Sequence, residues 1–204
     1  RDRAGGEYQY PRRGAGDAAD LIIEHPAIRR TLDLQRAWVD GGRVLAYQTG
    51  IYLDMARHAE SARERDQAQQ WCSLITPVLK AAWTQQAFEG SSACLQVFGG
   101  HGYIREWGIE QIVRDSRVAM IYEGTNEIQA IDLLVRKVLP DGGQAMGQWL
   151  LTLRNSLDAG RALDAEVLRC LAQLRYFTTV LAQACKEDDT LAGRVADDYL
   201  RCVA

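Results

Sequence analysis

Gln96-Val97-Phe98-Gly99-Gly100-His101-Gly102-Tyr103, followed downstream by Arg114-Asp115 and then by Ile121-Tyr122-Glu123-Gly124-Thr125-Asn126-Glu127-Ile128-Gln129, is the stretch on which this chain turns. The Gly99-Gly100 pair stops a helix, because glycine alone enters positive-φ backbone without penalty. A second glycine break follows at Gly124, beside a lone carboxylate, Glu123. An acid held on a loop, next to a residue that lets another molecule approach the backbone, is placed for proton abstraction.

Upstream, Trp71, Leu74, Ile75, Val78 and Ala82 recur at helical spacing, and the stripe runs through Phe88 to about Leu95. Gly90, Ser91, Ser92 and Ala93 are small enough for that helix to pass close to a neighbour. Before it, Ile28, Leu32, Val39, Leu45, Tyr52 and Ala56 describe one buried face of a long helix, with Pro26 suited to its first turn. Residues 1–24 carry Gly5-Gly6, Pro11 and Gly14-Ala-Gly16 without periodicity, and read as the end of a truncated helix and an exposed connector.

Downstream, a helix over residues 110–119 leads to the Glu123 loop. Thr125 or Asn126 caps the next helix, over residues 127–138, which Pro140-Asp-Gly-Gly143 ends. Leucine stripes through Trp149 and Leu153, then Leu163 to Leu181, give two more amphipathic helices, and residues 191–203 a third. No period-2 strand and no internal repeat emerge. The expected fold is all-α, an antiparallel bundle of six or seven helices joined by short loops. It divides into residues 1–24, a helical domain over 25–139, and a helical extension over 140–204 that reads as a packing or oligomer element.

Bulk composition excludes several classes. The 24 basic and 27 acidic residues are mixed along the chain and leave a net charge of −3, so no surface is built for a phosphodiester backbone. No apolar run approaches the roughly 18–20 residues that cross a bilayer, so no membrane partner is expected. Five separated cysteines without a Cys-x-x-Cys pair, with three histidines, suit free thiols in a reducing cytoplasm and no metal site. The first residue is Arg, which suggests a processed chain or an excerpt of something longer.

Glu123 has two readings: a surface glutamate near a helix start, where negative charge is mildly favourable, or a base partly desolvated by Ile121 and Tyr122, its pKa raised into a useful range. Gln96, Gly99, Gly100 and Gly102 either stop a helix or expose amides to a flat cofactor or its pyrophosphate. The strand–turn–helix context of a dinucleotide fingerprint is missing, which rules out a Rossmann reading. His101 and Tyr103 suit structural roles beside a glycine turn, Trp107 a loop anchor, and Arg114, Asp115 and Arg117 ion pairs within the bundle.

Taken together, these three motifs resemble the C-terminal helical domain of flavin-dependent acyl-CoA dehydrogenases, from Arg1 to about Leu139. The resemblance implies an oxidoreductase with FAD as cofactor: a glutamate removes the acyl α-proton, a β-hydride passes to flavin, and a trans-2-enoyl-CoA forms. By position the base is Glu123, whose backbone N–H would help polarise the thioester carbonyl. Gln96, Gly99 and Gly100 match contacts to the ADP part of FAD across a dimer interface, Arg3 an arginine near the pyrophosphate, and Thr125 with Glu127 the flavin-side helix start. Gly124 matches a substrate-facing glycine. Two positions depart from the pattern: Ala4-Gly5-Gly6 follows Arg3, and Val135 stands where some relatives carry an arginine.

The same resemblance implies an acyl-CoA substrate, a homodimer or homotetramer, and an electron-transfer flavoprotein as acceptor. The long tail and His25-Pro-Ala-Ile-Arg-Arg30 are similar to the bacterial branch of 3-(methylthio)propanoyl-CoA dehydrogenases. The family's N-terminal helical and middle β-domains have no counterpart here, so this chain alone is expected to be inactive. The competing expectation is a non-catalytic helical oligomerisation module that keeps the motifs for packing.

Overall fold

A computed structural model describes residues 21–204, and among these every regular element is helical. Arg3 and most of the 1–24 connector lie outside the described residues. Seven helices follow in order: α1 (Pro26–His58), α2 (Ala62–Phe98), α3 (Ile109–Ala119), α4 (Asn126–Ile131, continuing as a π-helical turn over Asp132–Val138), α5 (Gln144–Asn155), α6 (Ala162–Glu187) and α7 (Leu191–Val203). No helix among the described residues is long and apolar enough to cross a membrane.

α1 starts as its sequence suggests, with Pro26 in the first turn, where no backbone donor is missed. His25 adds a cap that spacing did not reveal, its Nδ1 accepting the Ala27 N–H at 3.3 Å. α2, the spine of the bundle, is about 55 Å long at 1.5 Å per residue. It runs through Pro77 and ends at Phe98, three residues beyond the expected limit. Gly90 is buried where α1 crosses: a Cβ there would lie 2.2 Å from Gln35 Oε1, so a larger residue would have to displace the Gln35 side chain.

One core joins α2, α4, α5, α6 and α7. Leu74, Val78, Leu133, Leu134, Val138, Met146, Leu150, Ala196, Tyr199 and Leu200 pack together in it. Pro140 and the Gly142-Gly143 pair break the helix, but apolar contact continues across that break. Tyr199 is completely buried, and its hydroxyl lies 2.9 Å from Thr178 Oγ1. Thr178 donates its own proton to the Leu174 carbonyl, so the tyrosine hydroxyl is the donor between the two.

α1 differs from expectation. Ile28, Leu45, Tyr52 and Ala56 are partly buried, but Leu32 and Val39 are 36% and 49% exposed. The reason is geometric: α1 packs mainly along α2, and one neighbour covers only a narrow strip of a helix. Tyr52 stacks on Trp71 with ring centroids 4.8 Å apart, and Trp71 meets Trp149 of α5 at 6.0 Å, tying the first helix to the bundle.

Candidate active site

The Glu123 loop joins α3 to α4. α3 unwinds at Met120, and the Ile121 and Tyr122 amides still donate to the Val118 carbonyl. The Asn126 amide then donates to the Met120 carbonyl at 3.2 Å, closing the turn. A turn this tight forces two residues into positive φ, Glu123 at 54° and Gly124 at 89°. Among the described residues Glu123 is the only non-glycine in that region. Such a conformation costs about 1–3 kcal/mol and persists only where the surroundings over-determine it.

The constraint comes from Asn126, which the sequence reading treated only as a possible cap. It is 6% exposed; its Oδ1 accepts from Lys80 Nζ at 3.1 Å and lies 2.9 Å from Thr84 Oγ1, whose single proton is shared with the Lys80 carbonyl at 2.8 Å. Its Nδ2 donates to the Ala81 carbonyl at 3.2 Å. The charged bond to Lys80 alone contributes about 1.5–3 kcal/mol, enough to offset the strain at Glu123. The detectable signal was an asparagine that follows a competent threonine cap and therefore had no capping work to do. Thr125 is that cap, accepting the Ile128 N–H at 3.4 Å.

Glu127 lies in the first turn of α4. The Thr125 hydroxyl, its own backbone N–H and the charges of Arg117 and Lys80 hold its carboxyl below the ordinary glutamate range. Glu123 is exposed, and its neighbours Ile121 and Tyr122 are 52% and 54% exposed. The apolar cover expected for this carboxylate is therefore not supplied by the described helices. Ile121 and Tyr122 lie on the segment that joins α3 to α4.

Gln96, Gly99 and Gly100 sit at the far end of α2 and are all exposed. Thr84, where the Glu123 loop is fastened, lies twelve residues before Gln96, or about 18 Å along the helix axis. One group of residues thus gathers on the α3–α4 loop and another at the end of α2, and they do not form a single pocket. The glycines there differ in what they require. Gly99 has φ 59° and ψ −142°, backbone that only glycine adopts readily. Gly102 is packed so that a Cβ would lie 2.7 Å from the Leu95 carbonyl. Gly100 has neither constraint, and nothing lies within 4 Å of its missing Cβ.

Gly99→Ala is expected to destabilise the chain by about 1–3 kcal/mol, and Gly100→Ala by less than about 0.5 kcal/mol. Urea unfolding of the two variants checks the contrast. Equal losses would show that helix termination explains both glycines.

Trp107 does anchor this turn, its ring edge-on to His101 at 5.5 Å and to Phe98 at 6.2 Å. Tyr103 is 80% exposed. The ion pairs expected at Arg114, Asp115 and Arg117 do not form among the described residues. Asp115 instead accepts from Gln111 at 2.7 Å, and Arg117 lies over the Phe88 ring at 5.9 Å. The first pairing is four residues apart along α3, where helical spacing brings side chains together, and the second crosses from α3 to α2. The five cysteines are free thiols, and burial pushes those of Cys72, Cys94 and Cys185 up, which keeps them protonated.

This fold and these motifs define the class: the chain belongs to the acyl-CoA dehydrogenase family, a family of flavin-dependent oxidoreductases, and residues 12–138 match its "Acyl-CoA dehydrogenase, C-terminal domain". Among individual proteins, it is 40% identical over 165 residues to the 3-methylmercaptopropionyl-CoA dehydrogenase of Ruegeria pomeroyi, covering 79% of this chain and 28% of that protein. It is 32% identical over 185 residues to the broad-specificity linear acyl-CoA dehydrogenase FadE5 of Mycobacterium tuberculosis, covering 85% of this chain and 30% of that protein. The chain therefore spans less than a third of the length of these relatives. In fold it matches Caenorhabditis elegans ACDH-11, solved in complex with C11-CoA, with a TM-score of 0.70 at 23% identity, covering 88% of this chain and 31% of that one.

Proposed function

We propose that this chain is the base-carrying C-terminal part of a FAD-dependent acyl-CoA dehydrogenase, with Glu123 removing the α-proton of an acyl-CoA thioester. The α C–H electron pair forms the new double bond as a hydride leaves the β-carbon, and the product is a trans-2-enoyl-CoA. Bound FAD supplies the acceptor for that hydride. The observation that carries this reading is Glu123 itself, held at positive φ on a loop anchored to α2. The turn needs two consecutive residues at positive φ, and a glycine at position 123 would take that backbone without penalty, so a glutamate kept there at a cost supports a task for its side chain.

Open space beside Gly100, next to the exposed Gln96 and Gly99, suits contact with the ADP part of FAD. The resemblance to the family assigns Thr125 and Glu127 to the flavin-side helix start, Gly124 to the substrate side and Arg3 to contact with the pyrophosphate. The exposed apolar positions Val44, Tyr47 and Ile51, which share one face of α1, support assembly into a homodimer or homotetramer. An electron-transfer flavoprotein is the proposed electron acceptor. The Ruegeria and Mycobacterium relatives are named for acyl-CoA dehydrogenation, which supports the substrate class.

The test is spectroscopic. The flavin-loaded protein containing this chain should lose its visible flavin band on anaerobic addition of an acyl-CoA. A band that stays unchanged across short, medium and long acyl-CoAs would favour the competing reading, a helical module that assembles without chemistry.

A further inference from the structure

The most fully buried polar side chain of the base loop is Asn126, and the sites discussed above do not need it for contact with any ligand. Its four polar connections run to three parts of α2 and back to the end of α3. Lys80, Ala81 and Thr84 occupy one face of α2, and Met120 closes the loop from the other side. Between those fixed points lie Glu123 and Gly124, the two consecutive residues at positive φ. With Asn126 removed, the loop is free to relax Glu123 toward ordinary backbone, which swings its side chain away.

We propose that Asn126, held by Lys80 and Thr84, is a positioning residue that sets the direction of the Glu123 carboxylate. The proposal rests on the reading of Glu123 as the base, and the two can fail separately. Asn126 touches no reacting atom in this account and acts entirely through the backbone of residues 121–125. Lys80 supplies the charged, directional bond, and Thr84, which divides its one hydroxyl proton between Asn126 Oδ1 and the Lys80 carbonyl, supplies a weaker second one.

Amide hydrogen exchange on the chain itself needs no cofactor. Asn126→Ala should lower protection of the 121, 122 and 126 amides at least about tenfold, with amides inside α2 and α6 changed less than about twofold. In the flavin-loaded protein the same variant should slow α-proton exchange of an acyl-CoA by about 30- to 100-fold, because small displacements of a reacting group cost that much. KM and flavin retention should stay within about threefold. Thr84→Val, which removes one bond and keeps the side-chain shape, should give a smaller loss in the same direction and covers the case where Asn126→Ala fails to fold.

Adding Asn126→Ala to Glu123→Gln should change the residual rate by less than about threefold, since a positioning residue has nothing left to position. A uniform fall in protection across the bundle, or an unchanged exchange rate in Asn126→Ala and Thr84→Val, would overturn the proposal while leaving Glu123 as base. Full activity in Glu123→Gln would instead remove the base assignment, and the proposal with it.

Discussion

Glu123→Gln is expected to reduce α-proton exchange by about 10³- to 10⁴-fold in the flavin-loaded protein, the range that a positioned general base contributes. The amide is nearly isosteric and keeps the loop's shape. It has no basic lone pair strong enough to hold the abstracted proton. Because Glu123 is exposed and enters no hydrogen bond or ion pair among the described residues, stability should stay within about 0.5 kcal/mol. Flavin absorbance should be retained too. Measuring solvent tritium or deuterium entering the acyl α-carbon separates this step from hydride transfer, and unimpaired wash-in would remove Glu123 from the chemistry.

Tyr199→Ala should have the largest effect on stability, about 3–5 kcal/mol, since it empties the largest fully buried side chain of the core. For a chain of this size that corresponds to a melting temperature lower by roughly 10 °C. A loss below about 1 kcal/mol would mean that α7 is only loosely docked on α4 and α6. Tyr199→Phe keeps the ring and isolates the hydroxyl. Burial pushes this phenol up to about 12. The folded state therefore holds the proton more tightly than the unfolded chain. The corresponding stability is present below about pH 10 and lost as pH climbs toward about 12. Wild type should weaken across that window, and Tyr199→Phe should show a shallower decline in urea midpoint.

Much of the fold was legible because helices announce themselves locally. Proline in the first turn of α1, the threonine cap at 125, the apolar stripes of α6 and α7 and the positive-φ stop at Gly99 all depend on residues within a few positions of each other. The π-helical turn over Asp132–Val138 was not legible, because its wider spacing answers to the packing of Leu133, Leu134 and Val138 against α7, far away in sequence. α1 was misjudged for a related reason. Periodicity reports which face is apolar, and it cannot count how many neighbours arrive to cover it.

The candidate site divides in the same way. Glu123, Gly124 and Thr125 stood out from chemistry and from a resemblance spread over three motifs. The pairings around Arg114, Asp115 and Arg117 did not follow from their charges, since an exposed ion pair contributes little and a nearby ring or amide competes with it. Lys80 and Asn126 meet across 46 positions of sequence, which no local pattern records.

By itself, then, the sequence determined the helices, their stops, the family and the identity of the candidate base, because each of these depends on short-range periodicity or on motif chemistry. Only the tertiary structure decided that α7 completes the core begun by α2, that Ile121 and Tyr122 leave Glu123 uncovered among the described residues, and that Asn126 fastens its loop to α2. Those facts depend on which helix faces meet, and that choice is made when the whole bundle excludes water, not by any one segment of the chain.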